Sequence, residues 1–244
     1  MILRIFLAIA AFFPLAAQDP PANLLWISRE QIKPGKVAPY MRIEEGAART
    51  CARLNCPNPY FAITSLTGPS EAWWINGFDS MDALEHVRHE YEVNQEIGQA
   101  LNSVAESKAD LAFDGVDLLA VFHPEMSFYS TPIFPRYISI TVLQLRPGHL
   151  QTLRTERIPF KAALERAGRP QWVYQVTSGT DDDTFLIMTP ARTVQELQSI
   201  PTPIDHNDAV GELISRTRLY AVAPSLSMPA KSWIEADPEF WKRP

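Results

Sequence analysis

Cysteine is scarce in this sequence, which has only Cys51 and Cys56 in 244 residues. That excludes a disulfide-dense scaffold and a four-cysteine zinc site. Four residues separate the two, so they do not form the Cys-x-x-Cys of a redox pair. A small-loop disulfide of modest stabilising effect and two buried thiols both stay open. Glycine is also sparse, 10 residues against 21 prolines, and the prolines gather in the connections. No cluster of lysine and arginine is present, and the net charge is −6 with a pI near 5.4. That excludes the basic face of a nucleic-acid binder and favours solubility instead. No His-Glu-x-x-His zinc motif and no other catalytic signature occurs.

Long hydrophobic runs are absent except one. Met1–Arg4 carries a single positive charge, Ile5–Ala17 is nearly all apolar, and Leu15-Ala16-Ala17 leads into Gln18-Asp19. This is the pattern of a secretory signal peptide, residues 1–17, and it implies export to the periplasm or beyond. The run falls short of the roughly 20 residues a membrane span needs, so no stable span is expected after cleavage. No cysteine stands at the boundary to anchor a lipoprotein.

What is present is a stretch that occurs twice. Ile27–Lys36 ends Lys33-Pro34-Gly35-Lys36, and Ile140–His149 ends Arg146-Pro147-Gly148-His149. Each is a strand-like run broken by Pro-Gly and followed by a helical pattern. The first copy continues with strands over Tyr60–Leu66 and Ala72–Phe78, a helix from Met81 past Gln99, and a strand over Val116–His123. The second continues with strands over Gln171–Thr177, Thr184–Thr189 and Thr217–Ala223. A helix begins at Val194, with Leu197 and Leu213 either side of a Pro-rich interruption, and Pro159 kinks or splits the helix over Leu150–Ala167.

The offset that carries Ile27 to Ile140 also carries Leu84 to Leu197, whereas a shorter one carries Pro124 and Ser127 to Pro224 and Ser227. The change places a deletion in the second helix region of the second copy. Internal duplication of a βαββαβ unit follows. The fold class is α+β, with two fused ferredoxin-like units whose bare sheet faces pair into a barrel-like core. The expected division is a signal peptide over 1–17, a first unit over 18–123, a linker over 124–136, a second unit over 137–227, and a tail over 228–244. Trp233, Phe240 and Trp241 should pack that tail on the body.

On these residues the chain resembles the dimeric α/β-barrel superfamily, here with both units in one chain. The strand, Pro-Gly, helix opening is similar to its antibiotic-biosynthesis-monooxygenase-like and NIPSNAP-like branches. The ending Ala236-Asp237-Pro238-Glu239-Phe240-Trp241 resembles that of a group of secreted bacterial tandem-repeat proteins. The resemblance implies the fold over residues 24–223. It carries no catalytic residue by motif, because the superfamily spans monooxygenases, isomerases, haem proteins and members without activity.

The candidate site is the space between the sheets. On the opening strands Ile27, Ile138, Ile140 and Val142 form the more apolar face, which is expected against helices. Trp26, Ser28, Glu30, Ser139 and Thr141 then line the barrel interior, joined by Tyr60, Trp74, Asn76 and Trp172. This predicts a site for a small apolar or aromatic ligand, with no cofactor and no metal. Burial of Glu30 would raise its pKa and suit it to act as a base in a cofactor-independent monooxygenase or isomerase. A filled core in a structural or interaction module is the remaining alternative. His86 and His89 share one side of a helix but sit among charged residues, and so read as solvated. His123 at a strand end reads as satisfied by backbone rather than as a base or haem ligand. His149 and His206 read as surface, and Asp181–Asp183 as a solvated hairpin tip lacking the distal ligand of a calcium loop.

Overall fold

Pro34-Gly35 and Pro147-Gly148 turn the chain from strand into helix in the same way. Gly35 and Gly148 have φ of 74° and 85°, and the Lys36 and His149 amides donate to the carbonyls of Lys33 and Arg146. Proline at the second position and a positive-φ glycine at the third is the chemistry such a turn requires. β1 (Leu24–Ile32) and β5 (Tyr137–Leu145) enter these turns, and α1 (Val37–Leu54) and α4 (Leu150–Ala167) leave them. The computed structural model describes residues 21–129, 134–180, 183–198 and 212–242. The expected signal peptide, His206 and Asp181-Asp182 lie outside the described residues.

After α1 come β2 (Tyr60–Ser65), β3 (Glu71–Phe78), α2 (Met81–Val93), α3 (Gln95–Lys108) and β4 (Ala112–Phe122). After α4 come β6 (Trp172–Ser178), β7 (Asp183–Ala191), α5 (Val194–Gln198), β8 (Glu212–Val222), α6 (Lys231–Ala236) and α7 (Pro238–Trp241). The eight strands close into an antiparallel barrel in the order β1-β3-β2-β8-β5-β7-β6-β4. Each half keeps the ferredoxin-like order, with its opening strand central, and the halves join through β2–β8 and β4–β6. Pairing all four outer strands removes every sheet edge. The expected α+β class and barrel are therefore observed, consistent with two ferredoxin-like units.

Strand ends differ from the expectation by a few residues, most at β4 and β8, which begin at Ala112 and Glu212, and three differences bear on the elements themselves. The helix expected from Met81 past Gln99 breaks at Asn94, whose side chain accepts the Ile97 amide and starts α3 afresh. α4 runs unbroken through Pro159. Leu213, expected on a helix, belongs to β8. The connection after β4 is anchored at its start. Met126 and Ser127 are buried, and the Ser127 hydroxyl accepts from the Val173 amide while donating to the His123 carbonyl. Its repeat equivalent Ser227 does the same to the other half, accepting from Ala62 and donating to the Ala223 carbonyl. Each half thus straps the other.

Apolar side chains of the opposite strand face occupy the barrel interior, which corrects the predicted inner face. Leu25, Ile27, Ile63, Trp73, Ile75, Ile138, Ile140, Tyr174, Leu186, Met188 and Tyr220 form its core. Trp233, Phe240, Trp241 and Phe134 plug one end, with Phe134 and Trp241 ring centroids 4.6 Å apart. At the other end Glu71 is buried between Arg29, Arg218 and Tyr220. Side chains alternate along a strand. With Leu25 and Ile27 inside, Trp26, Ser28 and Glu30 point outward to the helices. With Ile138 and Ile140 inside, so do Ser139 and Thr141, and with Trp73 and Ile75 inside, so do Trp74 and Asn76. Tyr60 also takes the outer face, since Phe61 packs on the interior. Trp172 alone of the nine faces the barrel. The physical reason is that the space between two sheets is the driest in the molecule, so the more apolar face goes there and the helices meet the more polar one.

Candidate functional site

Beneath the helices of the first half those outward residues meet again. A cavity of about 280 Å³ lies between the first sheet and α1 and α3. Ser28, Tyr60, Trp74 and Asn76 form its sheet side, and Glu44, Ala47, Cys51, Leu101, Val104, Ala105 and Lys108 its helix side, with Tyr91 at one edge. Four of the nine expected ligand-binding residues are therefore brought together, on the opposite face of the sheet from the one predicted. Trp26 lies apart, packed near α2 with Arg88 over its ring. Thr141 and Ser139 belong to the second half, where Thr141 bonds Thr217.

The charged part of the wall is a relay. Lys108, the last residue of α3, sits 2.7 Å from Glu30 and 3.0 Å from Glu44, with its ammonium 5.0 Å from the Trp74 ring centre. Tyr40 donates to the other oxygen of Glu30 at 2.6 Å. Glu30, the expected base, thus has both oxygens engaged and is not part of the cavity lining. Glu44 is, and it is only 5% exposed. Burial is the largest influence on its carboxyl and pushes it up, with Lys108 opposing. Glu44 and Glu30 raise the ammonium of Lys108 against the effect of its own burial. The Tyr40 hydroxyl is raised by burial and by the two carboxylates, so it stays a donor.

The polar edge is a second relay. The Tyr91 hydroxyl donates to Asn58, Asn58 to Asn76, and Asn76 to the Trp26 carbonyl. Burial lifts Tyr91 to about 12. Ser28 donates to Asp117, leaving its oxygen to accept from a ligand. The disulfide Cys51–Cys56 closes the end of α1 beside this relay and resolves the two open readings of the cysteines. The corresponding face of the second half is packed by Leu143, Leu145, Leu153, Val173, Phe185 and Ile187.

Sequence reasoning missed Glu44 and Lys108. Glu44 left a signal, because it falls in the buried stripe Tyr40, Ala47, Ala48, Cys51 of α1, where a carboxylate is costly without a partner. Lys108 left none, since its helix was not delimited. Only the tyrosines of the lining are of a type that ligates haem iron, and Tyr91 keeps its hydroxyl on Asn58. No histidine or methionine lines the cavity, and its sulfur is tied in the disulfide. His86 and His89 are exposed, and both ring nitrogens of His123 are engaged by Glu125 and Gln175. No group of three or more His, Cys, Asp or Glu among the described residues could hold a metal, and no described helix is long and apolar enough to cross a membrane.

No family model and no curated protein matches the chain. Solved structures do. A protein of Lactobacillus acidophilus provisionally classed as a monooxygenase is 5% identical, with a TM-score of 0.53 over 82% of this chain and 94% of its own. An anthrone oxidase-like protein is 13% identical, TM-score 0.54, covering 82% and 92%. A mutant chlorite dismutase of Candidatus Nitrospira defluvii is 9% identical, TM-score 0.53, covering 85% and 94%. These are dimeric α/β-barrel proteins, and at such identities they show the fold alone.

Proposed function

We propose that the chain binds a small aromatic molecule in the first-half cavity, between sheet and helices. One observation carries this reading: Ser28, Tyr60, Trp74, Asn76, Glu44 and Lys108 converge on a single volume of about 280 Å³. An engineered apolar cavity of ~150 Å³ takes benzene, so this volume suits a one- or two-ring molecule. Trp74, Tyr60 and Tyr91 offer ring faces, and Lys108 and Ser28 offer a donor and an acceptor for one polar substituent. Native mass spectrometry of the full chain purified from its own host tests it. The expected result is a retained small molecule that Ala105→Trp, which fills the cavity, eliminates. A retained molecule unaffected by that substitution contradicts the reading.

A second reading is proton transfer, as in a cofactor-independent monooxygenase or isomerase. Its support is Glu44, a desolvated carboxylate beside a fixed ammonium: it can take a proton from the ligand while Lys108 steadies the anion formed. The monooxygenase and anthrone oxidase descriptions of similarly folded proteins agree with it. Glu44→Gln should keep binding and lose turnover.

We also infer that the chain is exported, on the strength of Met1–Ala17, and arose by tandem duplication within the secreted branch it resembles. The single offset that relates β1–α1 to β5–α4 supports the duplication.

A further inference from the structure

Two carboxylates at the first-half cavity share one cation. Lys108 Nζ stands 2.7 Å from Glu30 Oε1 and 3.0 Å from Glu44 Oε1, and it also lies 5.0 Å from the centre of the Trp74 ring. The side chains of Lys108, Glu30 and Glu44 are 19%, 21% and 5% exposed, so water screens them little. One ammonium does not neutralise two carboxylates, and the group keeps an excess of negative charge. The uncharged polar atoms of the wall lean the same way. Ser28 gives its hydrogen to Asp117 at 2.5 Å, so its oxygen presents lone pairs. The Tyr91 hydroxyl gives its hydrogen to Asn58 and likewise keeps acceptor capacity. Asn76 is engaged at both ends of its amide, accepting from Asn58 and donating to the Trp26 carbonyl. Of the donor and the acceptors on this wall, the donor Lys108 is the most committed.

From this, and resting on the reading that a small aromatic molecule fills this cavity, we infer that the ligand is an arylalkylamine bound as its ammonium ion. Its charge stands at Glu44 and Ser28, and its ring lies against Ala47, Leu101, Val104 and Ala105. An alkylammonium has three donors and no acceptor, which complements a wall whose less committed polar atoms accept. Its single positive charge offsets the excess on Glu30, Glu44 and Lys108, and its bonds to the wall are charge-assisted. The rings of Tyr60, Trp74 and Tyr91 at the same cavity attract a cation rather than repel it. A carboxylate in its place would meet Glu44 as a like charge. A cation there also opposes the burial that raises the Glu44 carboxyl. One ring with a two-carbon arm is within the volume of about 280 Å³.

The test compares three molecules of similar shape on the full chain: 2-phenylethylammonium chloride, 2-phenylethanol and sodium phenylacetate, at neutral pH and equal ionic strength. Methyl NMR gives each Kd from the saturable shifts of Leu101 and Ala105, and Ala105→Trp should abolish the shifts of all three ligands. A charge-assisted hydrogen bond is about twice as strong as a neutral one, so the ammonium should bind roughly tenfold tighter than the alcohol, with the carboxylate weakest. Glu44→Gln should still bind the ammonium but bring its Kd close to that of the alcohol. Ser28→Ala should narrow the ratio in the same direction and by less. An alcohol or carboxylate that binds as tightly as the ammonium overturns the inference and leaves the cavity reading standing, as does a ratio that Glu44→Gln leaves unchanged. If none of the three shifts those methyls the inference falls too, and the native mass spectrum then shows whether the cavity holds another aromatic molecule.

Discussion

Lys108 decides the fate of three other side chains. Removing it by Lys108→Met leaves Glu30 and Glu44 facing each other without a cation. Breaking a buried pair from one side costs about 3 kcal/mol or more. In a chain of this size that lowers Tm by roughly 6 °C or more in a thermal melt. Adding Glu30→Gln and Glu44→Gln removes the repulsion and should restore most of the loss. Glu71 gives a pH prediction. Its hydrogen bonds to Tyr220, Arg218 and Arg29 outweigh burial and hold its carboxyl below the ordinary value of 4.5. A carboxylate whose folded pKa is depressed stabilises the fold above its unfolded value, and the contribution disappears as pH falls through the folded one. Denaturant titrations from pH 5 downward should therefore show a stability slope that Glu71→Gln flattens. For Glu44 the sign is opposite, because burial raises its carboxyl. If Glu44 is the base, the acid limb of a pH–rate profile lies above the usual carboxylate range.

At the scale of elements, the strands were legible and their facing was not. Alternation along Leu24–Ile32 separates two sets of residues in the sequence but does not say which set meets the helices. A shift of one position exchanges the faces. Amphipathicity reads correctly for a sheet with one wet side. Here both sides are covered, and only closure of the barrel ranks them. Ser28, Tyr60, Trp74 and Asn76 stood out in the sequence as polar and aromatic groups on strands, but they were expected between the sheets and lie beneath the helices. Glu44 and Lys108 were not, because their roles depend on how α1 and α3 dock. The disulfide also belongs to this scale. It closes a loop of only a few residues, so its loss through Cys51→Ser with Cys56→Ser should cost about 2 kcal/mol in denaturant unfolding. The local effect should be larger than the global one, with faster amide exchange at the end of α1 and at Asn58.

On the scale of the whole molecule, the two halves complete each other. β2 pairs with β8 and β4 with β6, and the Ser127 and Ser227 straps cross between the halves. No half presents a stable surface without the other, so unfolding should be a single transition. The tail is part of this unit. Trp241 is buried against Phe134, Trp233 and Phe240, and Asp237 pairs with Arg136 and Arg192. Trp241→Ala should cost about 3 kcal/mol and open that end of the barrel to a dye that reports exposed apolar surface. The cavity lies outside the barrel, so ligand binding and barrel integrity are separable.

Methyl NMR tests that separation most directly. The full chain, labelled at alanine, leucine, isoleucine and valine methyls, is titrated with a panel of one- and two-ring phenols. A ligand in the first-half cavity predicts saturable shifts at Ala47, Leu101, Val104 and Ala105, lost in Ala105→Trp. Saturable shifts at Ile27, Ile75 and Ile140 with those four unmoved would place the ligand between the sheets and contradict it.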